Sequence, residues 1–415
     1  MLFPSRRMVR RAHGNSRKGK EEMARKNRVV VEDGLYHVTT RIAHRERLLA
    51  DPEVKALVEG WMYGIADFCG VCVDAWSIMD NHLHIYLEVP SVPERYWTDP
   101  GTVPPTAARS MRPAECRDPR WSPDMADRDY AVSPAGERPS EAALARAAAD
   151  GVPVVTLPRP PTGFAMSDAE MVRRLERLHS GQPGRAKRTA ARWAALRAEG
   201  RGGEVDAEKD ALCRRMYNVS QYMKTLKQRI SEHFNRERGH SGALWEGRFR
   251  SSLVDRDGLS ELYVSSYIEW NAPRAGIVGH PREWRWCSYA TACGDGPYAA
   301  RAREGYARLF GSWEDAKARL DAVFADRLPD SYDPARDGFS CEGRDGEGRP
   351  CRVMLRMAQL VKVVSPFFRA AYFSRDVAYA RRVLGSLPGR FPAPGDGCLR
   401  RLARFGWDGP GEAAA

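Results

Sequence analysis

The stretch Trp76-Ser77-Ile78-Met79-Asp80-Asn81-His82-Leu83-His84-Ile85-Tyr86-Leu87-Glu88 constrains the chain more than any other. It reads as two strands joined at an Asp80-Asn81 turn, and a two-residue turn forces antiparallel neighbours. Side chains alternate along a strand. Leu83, Ile85 and Leu87 therefore share one face, and His82, His84, Tyr86 and Glu88 share the other. The apolar face demands a core. The other face sets two imidazoles side by side. They are either a pair of metal ligands or two partly exposed histidines on a half-open sheet.

The neighbouring sequence supplies partners for this hairpin. Residues 36–42 alternate and are rich in β-formers, predicting a first strand. Asp51-Pro52 opens a helix to about Phe68, with Val54, Leu57, Val58, Trp61, Met62 and Ile65 at helical spacing. Residues 71–79 and 82–89 give the second and third strands. From Pro90 to Pro161 the periodicity dissolves, because 14 of the chain's 28 prolines fall there and exclude long regular elements. A short helix is expected at 140–149. Ser167-Asp168-Ala169-Glu170 has the form of a capping box for a helix through about His179, and a basic helix pair follows across 185–216. Residues 218–238 then read as an amphipathic helix with Met223, Leu226, Ile230 and Phe234 on one face, ended by Gly239 and Gly242. Leu244 to Val254 predicts a fourth strand, and Asp257 or Ser260 caps a last helix to about Trp270.

The sum is β-α-β-β-α-β plus one helix. This is an α+β chain with a ferredoxin-like (βαββαβ) antiparallel sheet, helices on one face, and His82 and His84 on an open face. The expected division is a basic arm at 1–28, core halves at 29–90 and 217–290, an insertion at 91–216 that is Pro-rich and then helical, and an accessory, mostly helical region at 291–415. Within the last, 300–325 reads as helical, 326–350 as loop and 353–385 as a basic helical region. The arm is either a solvated tail or a phosphate-contacting extension.

Composition narrows the partner. A formal charge of +12 and a pI of about 9.4 point to a polyanion, most simply nucleic acid, or to an Arg-rich protein from a GC-rich genome. Nine scattered cysteines include one CxxC, Cys69 to Cys72, with no second pair to complete a zinc site; these two read as buried thiols, in a reduced setting. No apolar run approaches the roughly 20 residues that span a bilayer, and the N-terminus lacks a secretory core. The expected location is cytoplasmic, associated with the nucleoid. On the last helix Tyr263, Tyr267 and Asn271 form an i, i+4 stripe. A tyrosine stripe commonly packs in a core with its hydroxyls at the rim.

His82-x-His84 after Met79-Asp80-Asn81, then Leu244-Trp245-Glu246-Gly247-Arg248-Phe249, then Tyr267-Ile268-x-x-Asn271-x-x-Arg274-Ala275-Gly276, resembles the REP-associated tyrosine transposases. These belong to the HUH, single-tyrosine class of insertion-sequence transposases. The resemblance covers about 29–90 and 217–290, under half of the chain. It implies a ferredoxin-like fold, a divalent metal (Mg²⁺ or Mn²⁺) on His82, His84 and Asn271, and Tyr267 as a nucleophile that cuts single-stranded or hairpin DNA through a 5′-phosphotyrosine link. Two features differ from the usual family pattern: Ala272 separates Asn271 from Pro273, and compact members lack the 91–216 insertion. Candidate DNA contacts are Arg41, Lys224, Lys227, Arg248 and Arg250. Trp245 and Phe249 either stack on bases or pack in the core, and Arg274 binds phosphate or caps its helix. A homodimer is left open. The competing readings are a domesticated, non-catalytic hairpin DNA or RNA binder on the same fold, and a sugar-phosphate or nucleotide metalloenzyme. The second would need more acidic ligands than Glu88.

Overall fold

The computed structural model describes residues 33–96, 165–239, 242–256 and 258–325, with short strands at 131–133, 154–156, 340–344, 350–354 and 372–373. The basic arm and the helix expected at 140–149 lie outside the described residues. In chain order the elements that position the site are β1 (Gly34–Arg41), α1 (Pro52–Cys69), β2 (Cys72–Ile78) and β3 (His82–Val89). Two three-residue strands follow, β4 (Ala131–Ser133) and β5 (Val154–Thr156), which pair with each other. The helical part of the insertion is α2 (Asp168–Leu178), α3 (Pro183–Ala198) and α4 (Gly202–Cys213). Then come α5 (Val219–Arg238), β6 (Arg250–Val254), α6 (Leu259–Glu269) and α7 (Asn271–Arg274). The C-terminal part holds α8 (Ser288–Cys293), α9 (Ala299–Phe310), α10 (Trp313–Phe324), a β7–β8 hairpin (Ser340–Arg344, Pro350–Met354) and β9 (Tyr372–Phe373).

The chain is an α+β protein. Its main sheet runs β2-β3-β1-β6, antiparallel throughout, with β9 added in parallel beside β6. Local chemistry explains the long elements. Asp51 accepts from the Glu53 amide at 2.8 Å and Pro52 sits at the first helical position, so α1 starts where a spare donor is capped and a missing donor costs nothing. It ends at Gly70, whose φ of 69° is left-handed and whose missing side chain leaves room for the Tyr217 ring. Asn218 caps α5 by accepting from the Ser220 and Gln221 amides at 2.8 and 3.1 Å.

One face of the sheet meets α1 and α5. Tyr36, Val38, Leu83, Ile85 and Leu87 join Val58, Met62, Leu226 and Ile230 in a single apolar cluster, which Met171, Trp193 and Val205 of the insertion also enter. Each fully buried Leu or Ile there contributes about 1.5–3 kcal/mol. The hairpin turn is clamped from the same side. Asp80 accepts from Lys55 at 2.7 Å and from Arg47 at 3.1 Å. Burial alone would raise the Asp80 carboxyl, but these two cations outweigh it and hold it below its ordinary value.

Three sequence expectations are corrected. The second sheet face is not open. Over Leu35, Ala75, Tyr86 and Val254 it carries a cluster with Tyr263, Ile268, Tyr306 and Leu320 from α6, α9 and α10. The fourth strand begins at Arg250 rather than Leu244. Residues 244–246 instead fold past the end of β1, with an isolated bridge from Trp245 to Ile42. Within 326–350, expected as loop, residues 340–344 form β7, and within 353–385, expected as helical, residues 372–373 form β9; the backbones of these short stretches pair with other strands, and their surroundings lie outside the described residues.

The outer side of β2 is occupied by the C-terminal part. The Trp76 amide donates to the Ser288 hydroxyl at 2.8 Å and the Ile78 amide to the Trp286 carbonyl at 2.8 Å, while Arg308 donates to the Val73 carbonyl at 3.0 Å. At a bulge between Val73 and Ala75 the backbone comes so near α9 that a Cβ on Gly305 would lie 2.5 Å from the Asp74 carbonyl oxygen. Ser288 and Tyr306 also donate to the buried Glu269 carboxylate at the end of α6, tying that helix to the same region.

Candidate functional site

Register assembles the site. Thr39 of β1 lies opposite His84 and Arg41 opposite His82, while Arg250 of β6 lies opposite Thr39. Alternation then puts His37, Thr39 and Arg41 on the face of His82 and His84. The His37 and His84 rings stack, with centroids 5.2 Å apart and planes 9° from parallel, and a 3.0 Å hydrogen bond joins His37 Nε2 to His84 Nδ1. From α6 the Tyr267 ring meets both edge-on, 5.7 Å from His84 and 6.0 Å from His37.

Hydrogen bonds decide which ring nitrogens remain available. Asn81 Nδ2 donates to the Arg45 carbonyl at 3.1 Å, which fixes its amide so that Oδ1 faces His82 Nδ1 at 2.7 Å. An amide oxygen only accepts, so His82 Nδ1 carries the proton and Nε2 keeps the lone pair. That Nε2 is buried with no hydrogen-bond partner among the described residues. An unpaired buried acceptor costs about 1–3 kcal/mol, a cost that a ligand at this nitrogen removes. His84 has the same form: Nδ1 is engaged by His37, and Nε2 is its remaining nitrogen.

The imidazoles are held neutral. Burial pushes His37 down to about 3. His82 falls to about 4, through burial first and then the Arg41 and Arg274 charges. His84 lies well below its ordinary value for the same first reason, followed by the neighbouring His82 and His37. Neutral imidazole is the form that binds a metal ion.

The rings face a cavity of about 510 Å³. Arg41, Arg45, Arg248, Arg250 and Arg274 line it, against the single carboxylate of Glu246. The first four of these arginines have no carboxylate within ion-pair distance among the described residues, so the cavity carries an excess of positive charge. The Arg274 guanidinium sits 5.6 Å from the centre of the Tyr267 ring and donates to Asn271 Oδ1 at 2.8 Å.

Of the residues singled out in the sequence, His82, His84, Tyr267, Arg41, Arg248, Arg250 and Arg274 line this one cavity. Asn271 does not join them. Its Nδ2 donates to the Tyr267 and Ile268 carbonyls at 2.9 and 3.1 Å, and its Oδ1 accepts from Arg274. The helix breaks at Trp270, and Asn271 caps the end of α6 instead of lining the cavity. Trp245 is an anchor rather than a base platform, since its Nε1 donates to Ser231 at 2.9 Å under the Lys227 ammonium. Lys227 itself donates to the Gly247 carbonyl at 2.7 Å and so holds the loop that bears Glu246 and Arg248. Lys224 faces a different cavity. Glu88 is bound to Arg256 at 2.7 Å, at the far end of β3. The sequence reading missed His37, Arg45 and Glu246 as site residues. Alternation along β1 places His37 on the right face, but only the register of β1 on β3 brings it to His84.

A divalent cation fits His82 and His84, given two neutral rings with their Nδ1 atoms tied back and one Nε2 unpartnered. Among the described residues no group of three or more His, Cys, Asp or Glu side chains is placed to complete a shell. No protein-family model matches the chain, and no curated protein sequence matches it. A solved structure, of the REP-associated tyrosine transposase bound to a REP hairpin, is similar at 11% identity over 65% of this chain and 86% of that one, with a TM-score of 0.30. A TM-score that low says nothing of shared site geometry. No helix among the described residues is long and apolar enough to cross a membrane.

Proposed function

We propose that the chain is a metal-dependent, HUH-type transposase, an enzyme that nicks and rejoins single-stranded, hairpin-forming DNA on a ferredoxin-like frame, with Tyr267 as nucleophile. The observation that carries the reading is the meeting of Tyr267 with the His82/His84 pair in an arginine-lined cavity. Its cationic lining suits a phosphodiester, and the tyrosine supplies a nucleophile.

His82 and His84 would hold Mg²⁺ or Mn²⁺, which when bound polarises a non-bridging phosphate oxygen. The remaining steps belong to the chain. Arg41, Arg248 and Arg250 receive the strand. Arg274, against the Tyr267 ring, offsets charge that develops as the phenol oxygen bonds to phosphorus. The phosphorus–3′-oxygen bond breaks, and the proton lost by the phenol is balanced by the one gained at the departing 3′-hydroxyl. A 5′-phosphotyrosine results. Because a phosphodiester is exchanged for a phosphodiester, a 3′-hydroxyl can reverse the step without added energy.

The test is an end-labelled hairpin DNA incubated with the protein and Mn²⁺, then run on a denaturing protein gel. Wild type should form a labelled adduct, and Tyr267→Phe should form none, a loss of at least about 100-fold. Equal adduct from both proteins refutes the nucleophile. One observation favours a second reading, a non-catalytic hairpin binder: Asn271 spends its polar atoms within its own helix end. Tight hairpin binding that survives His82→Ala, with no adduct on any substrate, would establish it.

A further inference from the structure

A second cavity, of about 590 Å³, opens where α2, α3 and α4 of the insertion meet α5. Four of its cations have no carboxylate partner among the described residues: Arg185 on α3, Arg215 just after α4, and Lys224 and Arg229 on α5. Two of the acidic groups nearby are already held by cations: Glu208 accepts from Arg192 at 2.6 Å and from Trp193 at 2.9 Å, and Asp210 holds Arg214 at 2.6 Å. Glu232 accepts from the neutral Gln228 amide at 2.8 Å and its charge acts on Arg229, which leaves the cations in excess. Two of the unpaired guanidiniums are pinned from behind. Arg215 lies 4.8 Å from the centre of the Phe68 ring, and Arg229 donates to the Leu178 carbonyl at 3.0 Å.

The crowding registers on the titratable neighbours. His179 is pushed down to about 4, by burial first and then by Arg185, Arg229 and Arg215. A solvated basic face would splay its charges apart. Here partly buried guanidiniums are fixed close together and turned to an open cavity, so the repulsion stands until an anion enters.

We propose that this cleft binds phosphodiester groups of a nucleic-acid backbone. Guanidinium forks match pairs of phosphate oxygens. The described lining contains no Phe, Tyr or Trp, so no base has a platform to stack on, and contact falls to the backbone without regard to sequence. Helix α5 connects the two cavities. Lys224 lines this one, and Lys227, three residues on, ties down the loop at the rim of the other. The cleft therefore extends the grip on a strand beyond the imidazole cavity, an inference that rests on the reading of the chain as a DNA-acting protein.

The test uses the full chain and a fluorescent single-stranded hairpin DNA over a salt series, with wild type beside Arg185→Gln/Lys224→Gln. Both positions are exposed and have no ion partner to lose among the described residues. Affinity should fall roughly tenfold near 0.1 M salt, and the slope of log K against log salt should become shallower by about 1.5, equally on two unrelated hairpins. Unchanged affinity and slope overturn the proposal, as does a loss confined to one hairpin. So does a shift in Tm with inorganic phosphate, seen in wild type only, while both proteins bind DNA alike; that marks a small-anion site. Adduct formation by wild type is read separately. Its absence beside an altered salt slope would sink the tyrosine assignment and support the cleft.

Discussion

On one face of β3, Leu83, Ile85 and Leu87 sit in hydrocarbon shared with α1 and α5; on the other, His84 sits equally deep but against named hydrogen-bond partners. The two faces are alternate residues of one strand, and their tolerances differ. An apolar face asks for volume, and many side chains of similar size satisfy it. The imidazole face asks for one tautomer at each ring: Asn81 Oδ1 accepts the proton on His82 Nδ1, and at His84 the Nδ1 joined to His37 must carry the proton if Nε2 is to bind a ligand. The first face is apolar along its length, whereas the second is apolar at Tyr86 and turns to chemistry only at its His82–His84 end.

The largest effect that would break this division is on the apolar side. Ile85→Ala should cost about 2–5 kcal/mol of unfolding free energy by chemical denaturation. His84→Phe, which keeps the bulk, should cost far less while removing adduct formation. If the two variants unfold at the same denaturant concentration, the faces are not divided as stated.

Next in size is the acid limb of stability. The unfolded chain protonates His82 near its ordinary 6.5, but the folded chain resists to about 4. Between these values the unfolded state binds more protons, so this contribution is complete above about pH 6.5 and drains as pH falls. His82→Gln should flatten that limb by no more than about 3 kcal/mol, read from denaturation midpoints at pH 7, 5.5 and 4.5. An unchanged limb would mean that the ring is protonated in the folded protein.

The smallest effect sharpens the comparison. His37→Phe retains an aromatic ring against Tyr267 but leaves His84 Nδ1 without its acceptor. Mn²⁺ affinity, followed by titration of the ion's magnetic resonance signal, should weaken about 10- to 100-fold, with little change in the apolar core. Affinity equal to wild type would remove His37 as a positioning residue.

Much of the frame was legible because its signals are local. Asp51-Pro52 announced α1, Asn218 and Gly239 bracket a helix whose apolar period was plain, and the Asp80-Asn81 turn set the hairpin. The site was half legible. Alternation assigned His82 and His84 to one face, and spacing put Tyr267 on the right helix. What escaped depends on contacts distant in sequence. His37 reaches His84 only through strand register, and the closing of the second sheet face depends on α8–α10, more than two hundred residues from β2. Asn271 escaped for another reason. Helical spacing assumes a continuous helix, and the break at Trp270 lets the side chain satisfy the carbonyls behind it.

The backbone groups of Val73, Trp76 and Ile78 that point away from β3 are all taken by residues between Trp286 and Arg308. At the opposite margin of the sheet, Leu253 and Val254 are paired with β9. A strand margin with unspent amides is where sheets join into dimers and, when unguarded, into fibrils. Along these stretches another chain could dock as an extra strand only after residues 286–308 or β9 had been peeled away. Strand addition directly along β2 or β6 is therefore closed while these segments stay in place.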